Sequence, residues 1–597
     1  MTNIAEARRV IKRACALGAT DFCVCAGSRN APLLAVLGAY GAGTDKSVCA
    51  TSSGTDKCVC ATSSGTDKCV CATSSGTDKG VCATSSGTDK GVGATSSGTD
   101  KGAGATSSGT DTGVGAMKSG TDKGVGAKSG VECGTDTPVC AGDLRIYSFV
   151  DERSAAFFAL GRAKLSGRPV AVVTTSGTAV AELLPAAVEA HYSGTKLIFI
   201  TADRPARYRG TGAPQAIEQE GIFGVYGRGS VVHINIEFDE PLIDAVAGSR
   251  GFGVSEGEVT GLLSCEVGES PTQQPSSSAT QQPTFTRPLL ILSGLASAHR
   301  EKVRNFAARL NAPIYAEPLS GLREDPTLAH LLITSGERMI GRGGFDGVIR
   351  IGNVPTLRFW RDLDESRRDL PLISFSDLPF TGCSRGEVHP LEALPVAVAP
   401  RARDERFFAN DRDHADAIAC ILDDEPQSEL AMVRALSRSI PANARVYLGN
   451  SLPIREWDLA GTREPRGFTI AANRGANGID GQLSTFFGQC DPSRPNVCVV
   501  GDLTAIYDSN APWIVPQLDS GIDWRIVIIN NGGGRIFSRV ASLQRLDTAT
   551  RERMIENVHG IRFDHWAAMW GIEERVTELR PDAEASARAW KRYDALW

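Results

Sequence analysis

A chain of 597 residues with 42% hydrophobic content has the material for more than one buried core, and its formal net charge of −6 carries no signature of a nucleic-acid partner. No run is apolar for long enough to span a bilayer, and the opening MTNIAEARRVIKRACALGATDF lacks the apolar core of a secretory signal. A cytoplasmic protein is therefore expected.

The opening segment reads as an amphipathic helix leading into a strand. DFCVCAGSRN is strand then turn, and APLLAVLGAY is the helix after it. From Gly43 the unit GTDKxVxATSS then recurs every 11 residues, up to a last, out-of-phase GTD at Gly134. One valine among Gly, Ser and Thr offers little apolar surface against the entropy of ordering, so residues 43–142 are expected to be a disordered surface insertion. Eight of the sixteen cysteines fall between Cys49 and Cys140, and the others are scattered in apolar surroundings, which favours free thiols over a disulfide framework.

Beyond the repeat, RIYSFVDERS, PVAVVTTSGTAVAELLPAAVEA and KLIFITADRP each run from an apolar strand into a polar turn, with helices between, the alternation of a parallel α/β fold. In an open parallel sheet the ligand sits beyond the carboxyl ends of the strands, so GSRN, DER, TSGT and ADRP are expected around one crevice. Residues 1–245 form this first domain and 246–286 a linker, marked by SPTQQPSSSATQQPTFTRP. A middle α/β domain is expected over 287–428 and a third over 429–597, with strands RVYLGNS, NVCVVGD and WRIVIINN.

Chemistry concentrates at the last two strand ends. NVCVVGD stops at Gly501-Asp502, and WRIVIINN stops at Asn530-Asn531 ahead of three glycines. A carboxylate, an amide oxygen and a glycine carbonyl are hard oxygen ligands suited to Mg²⁺, whose octahedron is often completed by phosphate and water. Bare backbone at 532–534 lets a diphosphate approach where a Cβ would clash.

GD followed some thirty residues later by NN resembles the diphosphate-binding motif of thiamine-diphosphate enzymes, and Leu503 at its third position is what one subfamily looks like. That subfamily is the menaquinone-pathway synthase of 2-succinyl-5-enolpyruvyl-6-hydroxy-3-cyclohexene-1-carboxylate. AGSRNAPL, VDER, VTTSGTAVAELLPAAVEA, ITADRPA, GNSLPIRE, NRGANGIDG and NNGGGRIFS are similar to the same family, across residues 26 to 538. The resemblance implies three doubly wound parallel-sheet domains and a thiamine-diphosphate-dependent transferase. Such an enzyme decarboxylates 2-oxoglutarate and adds the succinyl-semialdehyde carbanion to isochorismate.

By the same resemblance, Glu152 is the catalytic carboxylate that bonds the cofactor's aminopyrimidine, and Asp502, Asn531 and the Gly533 carbonyl hold Mg²⁺ or Mn²⁺. Ile479 wedges the cofactor, Ile536 and Phe537 wall the reacting carbon, and Ser451 touches the cofactor side. Arg29, Arg204, Arg455 and Arg474 would take the substrate carboxylates, with Ser28 and Gln215 as neutral donors. A homodimer or homotetramer with active sites between subunits is implied.

Three features depart from the pattern: the inserted repeat, Pro214 where the family has Asn, and an ending at AWKRYDALW that leads one to expect a missing last strand and an unpaired sheet edge. Another thiamine-diphosphate 2-oxoacid carboligase or decarboxylase would share Asp502 and Glu152 without needing Arg29 and Arg204. A catalytically inactive homologue would not bind the cofactor.

Overall fold

The computed structural model describes residues 2–41, 144–243, 285–396 and 398–597; the repeat expected over 43–142 and nearly all of the linker expected over 246–286 lie outside the described residues. Three five-stranded, wholly parallel sheets succeed one another along the chain. The first contains β1 (Asp21–Cys25), β2 (Arg145–Phe149), β3 (Val170–Thr174), β4 (Leu197–Asp203) and β5 (Val231–Glu237), in the order β2-β1-β3-β4-β5. The second contains β6 (Pro288–Leu292), β7 (Ile314–Ala316), β8 (Gly347–Ile351), β9 (Leu372–Phe375) and β10 (Val388–His389), in the order β10-β9-β8-β6-β7. The third contains β11 (Arg445–Leu448), β12 (Thr469–Ala471), β13 (Asn496–Gly501), β14 (Trp524–Ile529) and β15 (Val576–Leu579), in the order β12-β11-β13-β14-β15.

Counted from its own first strand, every sheet is wound 2-1-3-4-5, so each has one topological switch point, between its first and third strands. The inner strands explain themselves. VAVVT, LIFITAD and PLLIL are buried at every residue, as strands covered by helices on both faces require.

The outer sheets share one hydrophobic core, in which Phe157 and Phe158 meet Tyr447, Phe486, Phe487 and Trp524, while the middle sheet has a core of its own. The shared core depends on two helices that are buried along most of their length. Glu152–Ser166 starts at Asp151, whose side chain accepts the Ser154 N–H at 3.1 Å, and ends at Gly167 in the left-handed region. It crosses Gln482–Gln489 where Gly161 faces Gly488. A Cβ on Gly161 would overlap the Thr485 carbonyl oxygen, and one on Gly488 would overlap that of Phe158.

Arg323 ties the middle domain to the third. It is buried and donates to the carbonyls of Trp457, Asp458, Gly461 and Thr462 at 2.7–3.2 Å, so a guanidinium closes the C-terminal end of the helix Leu452–Ala460. Burial works against its charge; the four carbonyl dipoles work for it.

The third sheet ends at an edge strand beyond the last one expected from the sequence. β15 pairs in parallel with β14 from Ile526↔Val576 to Ile529↔Leu579, and the helix Ala583–Asp594 comes after it. VTEL escaped the sequence reading because four half-exposed residues with a Thr and a Glu do not form an apolar run. Among the described residues, no helix is long and apolar enough to cross a membrane.

The glycine crossing makes a direct prediction. Gly161→Ala forces the two helices apart and is expected to cost about 1–3 kcal/mol, read as a lower urea midpoint, whereas Gly38→Ala, exposed in the helix Ala31–Gly41 with open space around it, should raise the midpoint by the roughly 0.5–1 kcal/mol that alanine gains over glycine in a helix.

Candidate active site

Register brings the two halves of the diphosphate motif together. Gly501 pairs with Ile529, so Asp502 and Asn530-Asn531 leave neighbouring strands side by side at the carboxyl edge. Asp502 is only 2% exposed. Its Oδ1 accepts the Leu503 N–H at 2.6 Å, and its Oδ2 accepts those of Gly532 and Gly533, each at 2.9 Å. His559 Nε2 lies 3.3 Å from Oδ2. Burial raises the Asp502 pKa, and the three backbone N–H groups and His559 oppose that rise.

The glycines are required by shape. Gly532 and Gly533 have φ of +81° and +140°, and a Cβ on Gly533 would stand 2.6 Å from the Glu556 carbonyl oxygen. Glu556 staples this loop from below: its carbonyl takes the Gly534 N–H, and its buried carboxylate pairs with Arg535 at 2.7 Å and Arg551 at 3.0 Å.

The two asparagines divide the work. Asn530 builds the loop, donating to Glu578 at 2.6 Å and to the Ile561 carbonyl at 3.0 Å while accepting the Gly532 N–H. Asn531 donates through Nδ2 to both oxygens of Glu429, at 2.9 and 3.1 Å, and its Oδ1 is buried with no hydrogen-bond partner among the described residues. A buried amide oxygen without a donor, beside a carboxylate and bare glycine backbone, is the donor set of a divalent cation. The Gly533 carbonyl accepts from Arg535 N at 2.9 Å and keeps a second lone pair. The residues present therefore fit a metal and a diphosphate. Ile479, in the loop NRGANGIDG, and Ile536, just past the glycines, are half-buried, and Phe537 is 39% exposed.

At the switch point of the third sheet, β11 ends in Gly449-Asn450-Ser451, and Ser451 sits at φ +71°, a strained backbone for a serine. Asn450 ties the loop NRGANG together, donating to the carbonyls of Asn473 and Gly478, each at 2.7 Å, and accepting from Arg474 at 2.9 Å. Glu189, from the first domain, accepts the N–H groups of Gly475 and Ala476 at 3.0 and 2.7 Å and pairs with Lys164 at 3.3 Å.

Arg455 and Arg474 line a cavity of about 1160 Å³ together with Glu317, Asp458 and Arg358. Glu317 accepts the N–H and hydroxyl of Thr356, each at 2.9 Å. Burial pushes its carboxyl up to about 7 against the pull of Thr356 and Arg474, and burial also lowers Arg455 and Arg474.

The first sheet forms a second cavity, of about 590 Å³, lined by Gly27, Asp151, Glu152, Thr175, Ser176 and Gln215 among others. Three of the four expected strand ends thus meet. Glu152 opens its helix here, with its pKa raised by burial first and then by Asp151 and Glu182. Gln215 holds φ +58° against Gly177, where a Cβ would come within 3.2 Å of its Cα. Ser28, Arg29 and Arg204 do not line this cavity. Ser28 is exposed, Arg29 is buried and donates to the Phe238 carbonyl at 2.9 Å, and the Arg204 guanidinium lies 5.6 Å over the Tyr208 ring.

The two cavities share no lining residue. What joins the halves within the chain is structural: Arg153 donates to the Tyr507 carbonyl at 3.1 Å, and Asp151 receives Asn510.

Glu189, Glu317, Glu429 and Glu556 were absent from the sequence reading. Glu429 comes after Ser428 at a helix start, where a glutamate serves any helix dipole and raises no question. Glu317 carried a usable signal, an acid inside the apolar run IYAEPL.

Residues 136–222 match the N-terminal TPP binding domain of thiamine pyrophosphate enzymes. The chain is 41% identical over 506 residues to the 2-succinyl-5-enolpyruvyl-6-hydroxy-3-cyclohexene-1-carboxylate synthase of Bdellovibrio bacteriovorus, covering 76% of this chain and 92% of that protein. It is 36% identical to the protein of the same name from Akkermansia muciniphila, over 72% of this chain and 84% of that one. For that of Bacillus velezensis the identity is 32%, over 73% and 86%.

The Glu317 carboxyl sets a pH dependence. Its folded value near 7 lies above the ordinary 4.5, so the folded chain keeps a proton that the unfolded chain gives up. Its contribution is intact below about pH 4.5 and is lost as pH rises toward 7, by up to roughly 3 kcal/mol. Glu317→Gln is expected to flatten the urea midpoint across that window; an unchanged slope would count against a buried, proton-holding Glu317.

Proposed function

The chain belongs to the 2-succinyl-5-enolpyruvyl-6-hydroxy-3-cyclohexene-1-carboxylate synthase family, and on that premise we propose how its residues divide the reaction. The activity is that of a thiamine-diphosphate-dependent transferase in menaquinone biosynthesis, which decarboxylates 2-oxoglutarate and adds the resulting four-carbon unit to isochorismate. When bound, thiamine diphosphate supplies a nucleophilic ring carbon that then serves as electron sink.

The observation that carries the site assignment is the unpartnered Asn531 Oδ1 beside Asp502. Asp502, Asn531 Oδ1 and the Gly533 carbonyl would hold Mg²⁺ or Mn²⁺, with diphosphate and water filling the remaining positions. Glu152, its pKa raised by burial, holds and returns a proton at a pyrimidine ring nitrogen. Ile479 would wedge the cofactor, Ile536 and Phe537 would wall the reacting carbon, and Ser451 would border the cofactor.

Arg455 and Arg474 orient carboxylates in the larger cavity. Each planar guanidinium can take a carboxylate through two parallel N–H groups, and Arg474, half-buried, is the less screened of the two. Arg29 and Arg204, with Ser28 and Gln215, would serve the carboxylates that reach the first domain. Arg29 must exchange its Phe238 carbonyl for substrate to do so.

Glu152 lines the smaller cavity and Arg455 and Arg474 the larger, with no lining residue in common, and Asp502, Asn531 and Gly533 line neither; this separation within one chain favours a homodimer or homotetramer whose sites form between subunits. The domain boundaries proposed are 1–245, 287–428 and 429–597, each containing one of the three sheets. A cytoplasmic location is proposed with them.

Two measurements test this reading. Isochorismate loss is monitored in purified protein with thiamine diphosphate, Mg²⁺ and 2-oxoglutarate. Turnover that needs both substrates, and falls about 10²–10⁴-fold in Glu152→Gln, is the expected outcome; substrate loss indifferent to Glu152 would sink its assignment. Separately inactive Glu152→Gln and Asp502→Ala proteins, mixed after dissociation, should recover about a quarter of the wild-type rate if each site draws on two chains of a dimer. No recovery would place both residues of a site on one chain.

A further inference from the structure

Asn531 is held from behind by a residue that neither the motif nor the cavities point to. Both Glu429 oxygens accept its Nδ2, at 2.9 and 3.1 Å, while its Oδ1 has no partner among the described residues. A side-chain amide has two orientations of nearly the same shape, differing in which face presents oxygen and which presents N–H. A carboxylate accepts and does not donate, so Glu429 admits only the orientation with nitrogen turned toward it.

Glu429 is itself fixed in place. It lies in the first turn of the helix Glu429–Ser439, its N–H donates to Ser586 Oγ at 3.0 Å, and its carboxyl is buried against that of Glu456. Among the described residues no group donates a hydrogen bond to either Glu456 oxygen, and the Glu456 carboxyl, pushed well up by burial and by Glu429, is the partner that holds the proton toward Glu429. Arg535 faces the pair on the Glu429 side and Arg539 on the Glu456 side.

We infer that Glu429 is a positioning residue for the cation site: it locks the Asn531 amide so that Oδ1, and not Nδ2, is presented to a divalent metal, with Glu456 as the carboxyl that backs it. The inference rests on the reading of Asp502 and Asn531 as metal ligands, and the test separates the two.

Mg²⁺ affinity is measured by calorimetry on the full chain at saturating thiamine diphosphate, with far-ultraviolet circular dichroism confirming that each variant is folded. Wild type should bind and Asp502→Ala should not; any other result overturns the ligand reading itself. Glu429→Gln supplies an N–H that stabilises the flipped Asn531 amide, and is expected to weaken Mg²⁺ about 10–100-fold. Glu456→Gln leaves Glu429 an acceptor and should stay within about threefold of wild type.

Rescue is the readout that a packing role would not give. Asn531→Asp alone sets like charges face to face and should lose about as much affinity as Glu429→Gln. Asn531→Asp combined with Glu429→Gln gives the new carboxylate a donor behind it and two equivalent oxygens. The double variant should bind Mg²⁺ at least about tenfold more tightly than either single variant. Wild-type affinity in Glu429→Gln, or no gain in the double variant, would overturn the inference.

Discussion

Two glycine N–H groups on one buried carboxylate set the geometry of the third domain. Asp502 closes the gap between the ends of β13 and β14 by accepting from Gly532 and Gly533, and that closure fixes where Asn531 can be. The backbone takes a path open to glycine, because the Glu556 carbonyl occupies the space a Cβ would need. The arrangement costs conformational entropy and the desolvation of an acid. Three backbone dipoles and a histidine offset part of it, and a cation would offset the rest.

The same logic recurs around the larger cavity. Its acids are met mostly by backbone or hydroxyl donors rather than by close ion pairs: Glu317 by Thr356, Glu337 by the Arg358 N–H, and Asp458 by the Tyr315 hydroxyl. Arg455, exposed, and Arg474, half-buried, consequently keep donors free. Each guanidinium has five N–H groups, and the hydrogen bonds they make to protein oxygens are to Ser451 O and Asn450 Oδ1 respectively.

Much of this was legible in the sequence, and the reason is local. A buried parallel strand is a short apolar run, and the residues just after it sit at the carboxyl edge. VDER, TSGT, GNS, GD and NN could therefore be placed at strand ends without knowing which strands pair. The supports were not legible because they are distant. Asn531 and Glu429 are 102 positions apart, and Ala476 and Glu189 are 287 apart. Glu429 and Glu189 look like ordinary helical glutamates until the fold brings their partners to them. β15 failed for the opposite reason, since an edge strand needs only one apolar face and VTEL has little even of that.

The glycine crossing between Glu152–Ser166 and Gln482–Gln489 also has a consequence for synthesis. The ribosome completes the first helix more than 300 residues before the second, so at about 5–20 residues per second its apolar sides wait roughly 15 to 60 seconds for their cover. During that interval Phe157 and Phe158 are a sticky surface on a nascent chain. The yield of this protein thus depends on how well that surface is shielded while the ribosome finishes, and a larger chaperone supply should raise it even where the stability of the folded product is unchanged.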